Sequence, residues 1–414
     1  MSKISLKHSG GNAVSLNSPT NAPGAADVAF KLPNADGSDG QAIVTDGAGN
    51  LSFANAGSGT ARNLIINGSF LIAQRGVSST TNGHGSVDRF SVDYGNTDEA
   101  PTQAQGDVAS GTTPYTLGFR KCLKITNGNQ TSGAGAGDYL GIEYYVEAQD
   151  MANSGWNYTS SSSNVTLSFY IKSSVAQSFK GFVRTRDGTE QRFPFDTGSL
   201  SADTWTKVTK TISGNSNLQF DNNNDKGLQI VLAAFWGTDY TDNSITENAW
   251  SAYASGTRMK DNTSTWYTTN DATLEITGVQ LEVGSVATDF EHRSFGQELT
   301  LCQRYFYLHT DAQTNSGQEA IGTGTWYNGY NLYVSVHFPT TMRTVPSLYQ
   351  VSGTDYFLFN ASNTSSGFDS FNEIWRSNKN MAFLGEYNES NTQGASAMIQ
   401  TNNTNARLGF NAEL

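Results

Sequence analysis

Two cysteines, eight prolines and five histidines are all that this chain of 414 residues holds of the side chains that staple, kink or bind metal. Cys122 and Cys302 lie far apart, each in an apolar stretch, and read as two buried free thiols; nothing requires a disulfide. No close Cys/His spacing supports a zinc site, and no metal or other cofactor is expected. Charge is scarce as well. Only 15% of residues are charged, with Lys+Arg 25 against Asp+Glu 37 and a formal net charge of -12. Binding to phosphate needs clustered Lys and Arg, so neither nucleic acid nor an anionic membrane is an expected partner. Long apolar runs are missing too. No stretch approaches a membrane span, and the opening MSKISLKHSGG lacks the apolar core of a signal peptide. The expectation is synthesis in a cytoplasm without a secretion signal, and no membrane insertion.

Glycine, by contrast, is abundant at 42, and Asn, Ser and Thr fill much of the remainder. These residues weaken helix interiors and suit turns between short strands. A hydrophobic fraction of 36% and an aromatic fraction of 11% exclude a disordered chain. The fold class is therefore all-β. At roughly 100–200 residues per domain the length suggests several domains. Residues 1–60 read as a thin β-rich N-terminal segment, either a flexible linker or, as its alternation favours, a unit completed by other chains. Its apolar residues alternate at Val28, Phe30 and Leu32, at Ala42 and Val44, and at Leu51 and Phe53, between Asp-Gly turns at 36–37, 39–40 and 46–47. Such a thin segment cannot bury a core alone and needs other chains.

Residues 61–293 read as an antiparallel sandwich. Val165, Leu167, Phe169 and Ile171 alternate with Thr166, Ser168 and Tyr170, and Leu228, Ile230 and Leu232 repeat the pattern. Leu274 and Ile276 keep one phase, Val279, Leu281 and Val283 the other, which predicts a β-bulge at Gly278. At 294–307 the spacing changes. Phe295, Leu299, Cys302 and Phe306 mark one face of a short connecting helix, and Ser294 with Gln297 forms a capping box. Over 308–414 strand alternation returns at Leu332, Val334, Val336 and Phe338, and again near 356–360, 381–384, 395–400 and 407–411, as a C-terminal β-sandwich tip.

The stretch VAFKLPNADGSDGQAIVTDGAGNLSF (28–53) resembles a segment found near the N-terminal end of phage tail fibres. NLIINGSFLIAQRG (63–76) with VDRFSVDY (87–94) resembles the opening of a jelly-roll, carbohydrate-binding-like module in such fibres. EITGVQLEVGSVATDFEHRSFGQELTLCQRYF (275–306) is similar to the end of that module and its joint, and HFPTTMRTVPSL (337–348) to a C-terminal fibre domain. The resemblance implies a homotrimeric virion adhesin on the phage tail. Its partners would be tail or baseplate proteins at the N-terminus and a host surface glycan or other envelope receptor. The synthesis without a secretion signal and the amide- and hydroxyl-rich surface both fit a virion protein released by lysis. A capsid-attached fibre or knob, or an envelope-polysaccharide depolymerase, is the alternative.

Catalysis is not expected. No nucleophile elbow, phosphate loop or HExxH is present. Glu143 and Glu147 flank Tyr144 and Tyr145 and, like Glu282, read as solvent-facing strand residues. Sugar binding needs aromatic faces for the apolar side of a pyranose, with amides and carboxylates for its hydroxyls. The stretch 236–271 supplies Trp236, Tyr240, Trp250, Tyr253, Trp266 and Tyr267 among many Asp and Asn; the alternative for these rings is to plug the end of the sandwich. In the tip, Trp375 and Tyr387 are the candidate exposed rings, burial between chains being the other reading. The oxygen-rich run 221–225 lacks full calcium-loop spacing and reads as an Asn/Asp turn.

Overall fold

The computed structural model describes residues 3–7, 13–17, 32–33, 41–45, 50–55, 62–312, 317–328, 330–361, 364–386 and 392–414. The chain divides into two units, Met1–Thr60 and Ala61–Leu414. Among its described residues the first holds two antiparallel strand pairs, Lys3–Lys7 with Ala13–Asn17 and the hairpin Gln41–Thr45 with Leu51–Asn55. In the hairpin Ile43 and Val44 are 59% and 38% exposed, and Leu32 is exposed as well. Val28, Phe30 and the three Asp-Gly pairs lie outside the described residues.

The larger unit opens with a jelly-roll sandwich of two six-stranded antiparallel sheets. The back sheet runs, in spatial order, Thr206–Ser213, Asn164–Ser173, Thr273–Val283, Lys121–Thr126, Thr102–Asp107 and Ser78–Ser79. The front sheet runs Ser251–Ala252, Gln191–Asp196, Lys180–Thr185, Lys226–Trp236, Tyr139–Glu147 and Phe90–Gly95. Period-two alternation sends one phase of each strand inward. Leu167, Phe169, Leu274 and Leu281 from the back sheet meet Ile142, Tyr144, Phe195 and Leu232 from the front sheet in one core.

The bulge at Gly278 is present. Ser168 pairs with Gln280 but Tyr170 with Thr277, so the strand Thr273–Val283 carries an extra residue there. Gly278 has φ +65°, and a Cβ on it would lie 2.6 Å from Phe119 Cζ. A Gly278→Ala variant takes on both a left-handed backbone and an overpacked ring, about 2–4 kcal/mol together. Denaturant titration should show this loss; an unchanged midpoint would contradict the bulge.

The tip pairs a seven-stranded sheet with a three-stranded one around a second core that includes Trp326, Phe357, Phe359, Phe383 and Phe410. Between the two cores lies the helix Phe295–Gln303, and the Ser294/Gln297 capping box forms as expected. The expected apolar face needs correction. Phe306 is already the first residue of the strand Phe306–Thr310 and is fully buried, while Phe295 is 61% exposed. The helix instead buries Cys302 and Glu298, whose Oε1 accepts the Asn67 backbone N–H and lies 3.5 Å from Arg293 Nη1. Phe306 is thus not free for a contact between chains. Both cysteines are free and buried; burial, with the Glu275 charge nearby, pushes the Cys122 thiol up to about 12.

Buried charge ties sandwich to tip, which corrects the solvent-facing reading of Glu147. Its carboxylate is fully buried and accepts from Arg304 Nε at 2.7 Å, Arg304 Nη2 at 2.8 Å and the Tyr305 hydroxyl. Glu282 is also buried, because the segment after it folds back and Thr288 donates to it from N at 2.9 Å and Oγ1 at 2.6 Å. A second lock joins Glu413 to Arg89 and, at 3.3 Å, to Arg75, with the Arg89 guanidinium 3.4 Å from the Tyr305 ring centroid. Burial alone would raise the Glu413 carboxyl, but the charges of His84, Arg89 and Arg75 hold it at about 2.

Around this lock burial pushes His84 down to about 4 and Asp88 up to about 6. The depressed Glu413 and His84 lose their stabilising contribution as pH falls, His84 between 6.5 and 4 and Glu413 from 4.5 toward 2. The raised Asp88 does the opposite, gaining as pH falls from about 6 to 3.8. The contributions of His84 and Asp88 to the melting temperature should therefore oppose one another from pH 6.5 to 4, and the Glu413 contribution should be lost below. In His84→Asn the melting temperature should rise over that window; a His84→Asn curve parallel to wild type would contradict this assignment.

Candidate functional site

The outward phase of the front sheet carries one polar row and one mixed row where the inward phase carries the core. Across four strands Arg192, Arg184, Gln229 and Tyr145 stand directly opposite one another in a transverse row. The next row holds Pro194, Phe182, Val231, Glu143 and Ser91. Side chains in these rows are knitted together. Gln229 Nε2 donates to Glu143 Oε2 at 2.8 Å and to the Tyr145 hydroxyl at 2.9 Å, and that hydroxyl donates to Glu143 Oε2 at 3.0 Å. Arg184 Nε donates to Glu190 Oε2 at 3.0 Å, and its guanidinium sits 3.4 Å from the Tyr253 ring centroid. The Lys226 ammonium caps the other end, 4.0 Å from the Tyr145 ring centroid. Burial, then the Asp93 charge, raises the Glu143 carboxyl; burial, then Arg186, lowers Lys226.

Several rings from the stretch 236–271 gather at the far edge of this face. Trp236 packs with Phe182, Val231 and Met259 in a small cluster outside the sheet, flanked by half-buried Tyr139, Tyr240 and Tyr253. Arg258 lies over Trp236 and Tyr240, 4.7 and 5.1 Å from their centroids. Tyr240 and Tyr253 therefore border the polar rows. Trp236 is only 3% exposed and offers no free face. Trp266 and Tyr267 are fully buried in the main core, where Tyr267 stacks on Phe235 at 4.5 Å; they plug the sandwich end and leave the candidate list. Trp250 is held edge-on to Phe193 at 5.4 Å and donates from Nε1 to Ser213 O at 2.6 Å, away from the rows.

The tip rings are separate. Trp375 is 65% exposed and meets Tyr333 edge-on at 5.5 Å, while Tyr327 stacks on Tyr333 at 4.9 Å. Tyr387 lies outside the described residues. In the run 221–225, Asn223 Oδ1 accepts from Asp225 N at 3.0 Å and Asn223 O from Gln149 N at 2.8 Å, the geometry of a turn against the helix Ala148–Ala152.

Arg184, Glu190, Lys226 and Gln229 are the residues that sequence reasoning missed. The signal was available: Gln229 alternates with Leu228 and Ile230, and Glu143 and Tyr145 with Ile142, Tyr144 and Val146, so one phase is apolar and the other polar. What the sequence does not give is the register that brings these positions opposite one another. Chemically, the rows bring planar amide, carboxylate, guanidinium and phenol groups together beside aromatic edges, with Gln229 and Arg192 buried and Arg184, Tyr145 and Glu143 half-buried. That set exchanges hydrogen bonds with vicinal hydroxyls.

No family model matches the chain, and no curated protein matches it. Solved structures with a similar arrangement include a bacteriophage CBA120 tailspike protein 4 domain, at 9% identity and TM-score 0.29 over 54% of this chain and 22% of that one. Another is the N-terminal cellulose-binding domain of Cellulomonas fimi β-1,4-glucanase C, at 13% identity and TM-score 0.26 over 52% of this chain and 97% of that domain. A third is the family 11 carbohydrate-binding module of Clostridium thermocellum with a mixed-linked tetrasaccharide, at 10% identity and TM-score 0.24 over 51% of this chain and 98% of that module.

Proposed function

We propose that this protein is a structural virion adhesin, a phage tail fibre whose front sheet binds a glycan of the host-cell surface. The observation that carries the glycan half is the transverse row Arg184, Gln229 and Tyr145 with Glu143 beside it. A row that crosses strands suits an extended chain of sugars lying over the sheet. Planar hydrogen-bonding groups read its hydroxyls, and Tyr253 and Tyr240 at the edge offer apolar contact. The site binds and does not cleave.

The attachment half rests on the order of the four fibre-like motifs along the sequence and on the hairpin Gln41–Thr45 with Leu51–Asn55. Exposed Ile43 and Val44 on a two-stranded hairpin lose burial that partner chains would restore. Three copies around an axis supply that cover by symmetric closure, with residues 1–60 seated on tail or baseplate proteins. The test is retention of the purified protein on immobilised host envelope polysaccharide, with the supernatant assayed for reducing ends. Retention without release supports an adhesin. Release of reducing ends identifies a depolymerase, and absence of retention removes the glycan reading. Mass photometry checks the assembly: a dominant monomer would contradict the trimer.

A further inference from the structure

The opposite side of the sandwich carries a different kind of site. On the outer face of the back sheet a groove of about 210 Å³ is walled by Leu117, Phe119, Tyr170, Phe290 and His292. The sequence builds it in three steps. The bulge at Gly278 leaves the floor without a side chain, and Phe119 fills in beside it. The segment after Glu282 folds back over the sheet, pinned by Thr288 on Glu282 and by Glu291 N donating to Gln280 Oε1 at 2.9 Å. His292 Nε2 then meets Leu117 O at 2.9 Å and closes the end. Phe119, Phe290 and His292 brace one another at 4.9–5.1 Å, so the wall is rigid.

The polar groups in this groove differ from those on the front sheet. There, Gln229, Glu143, Tyr145, Arg184 and Arg192 are hydrogen-bonded to neighbours. Here, Tyr170 and Lys207 are direct cross-strand partners, Ser168 lies two residues along, and Asp289 also lines the groove. Among the described residues Ser168 Oγ, the Tyr170 hydroxyl, the Lys207 ammonium and the Asp289 carboxylate make no hydrogen bond or ion pair with one another or with any other group. Two donor-acceptor hydroxyls, a cation and an anion thus line one apolar-walled space without a protein partner, the two charged groups being open to solvent.

We propose that this groove is a second ligand site that takes one neutral pyranose residue. The volume lies below the roughly 300–1,000 Å³ of sites for larger ligands, which limits the occupant to a single ring. Lys207 and Asp289 cancel in charge, so neither an acid nor an amine is favoured. Hydroxyls on adjacent carbons accept from Lys207 and donate to Asp289, while the C–H face of the ring lies on Tyr170 and Phe290. The groove is independent of the front sheet and stands or falls separately from it.

Saturation-transfer NMR on the full chain with the methyl α-glycosides of glucose, mannose and galactose tests the assignment. At least one should show transfer to its ring protons. Tyr170→Ala and Lys207→Met should each weaken that binding about tenfold or more. Lys207 is solvent-exposed, so its variant keeps the fold even if Tyr170→Ala does not. Tyr145→Ala on the front sheet should leave the Lys207-sensitive part of the signal intact. Absence of transfer from all three glycosides, or transfer that survives Lys207→Met and disappears in Tyr145→Ala, overturns the proposal.

Discussion

Glu147→Ala should destabilise the unit Ala61–Leu414 by about 3 kcal/mol. The carboxylate is fully buried and takes two bonds from the Arg304 guanidinium and one from the Tyr305 hydroxyl. Removing it strands a cation and a phenol at the junction of two cores, and the cost of an unpaired buried charge exceeds the worth of the pair itself. Arg304 is 29% exposed, so water recovers part of its loss, which places the figure at the low end of the range for buried pairs. Equilibrium denaturation should show a lower midpoint and, because the lock joins the two cores, transitions of sandwich and tip that no longer coincide. As a control, Asp107→Ala breaks the exposed pair with Lys121 and should leave the curve unchanged. Coincident transitions at the wild-type midpoint in Glu147→Ala would show that the junction is held by apolar packing instead.

On the front sheet the largest effect is expected from Tyr145. Its ring is covered by the Lys226 ammonium on one side, and its hydroxyl ties Gln229 to Glu143. Tyr145→Ala removes an aromatic surface and one of the hydrogen bonds that orient Gln229 and Glu143. About 1–3 kcal/mol of glycan affinity should be lost, roughly 5- to 150-fold. Tyr145→Phe keeps the ring and should retain most of the affinity if stacking dominates, and little if orientation does. Arg184→Ala leaves Glu190 paired with Arg186 alone and removes the guanidinium from the Tyr253 ring, and should also weaken binding. Trp266→Ala behaves differently: its ring sits in the core, so the variant should unfold rather than bind weakly. Normal melting with lost adsorption in Trp266→Ala would contradict its placement.

Much of the fold was legible because local patterns carried it. Alternation in 165–171 and 228–232 marked strands whose inward phase forms the core. The phase switch at Gly278 marked a bulge, and Ser294 with Gln297 a helix start. The failures share one cause. Glu147 and Glu282 do occupy the outward phase, but later segments fold over them, and strand periodicity holds no information about what covers a sheet from outside. Phe295 and Phe306 satisfied a helical spacing that the chain breaks after Gln303, because pairing of Phe306 with Asn411 outweighs one more helical turn. The rings of 236–271 were recognised by type, yet whether a ring plugs the sandwich or borders its face depends on tertiary position. Trp266 and Tyr267 took the first role, Tyr240 and Tyr253 the second. The polar rows were hidden for a related reason, since Arg184, Gln229 and Tyr145 are far apart in sequence and meet only through register.

Glycan recognition by the front sheet is tested most directly by hydrogen exchange on the full chain with and without host envelope polysaccharide. Slowed exchange should concentrate in Tyr139–Glu147, Lys180–Thr185 and Lys226–Trp236, the strands that carry Tyr145, Arg184 and Gln229. Protection confined to the tip strands around Trp375, with the front sheet unchanged, would contradict the account and move the receptor site to the tip.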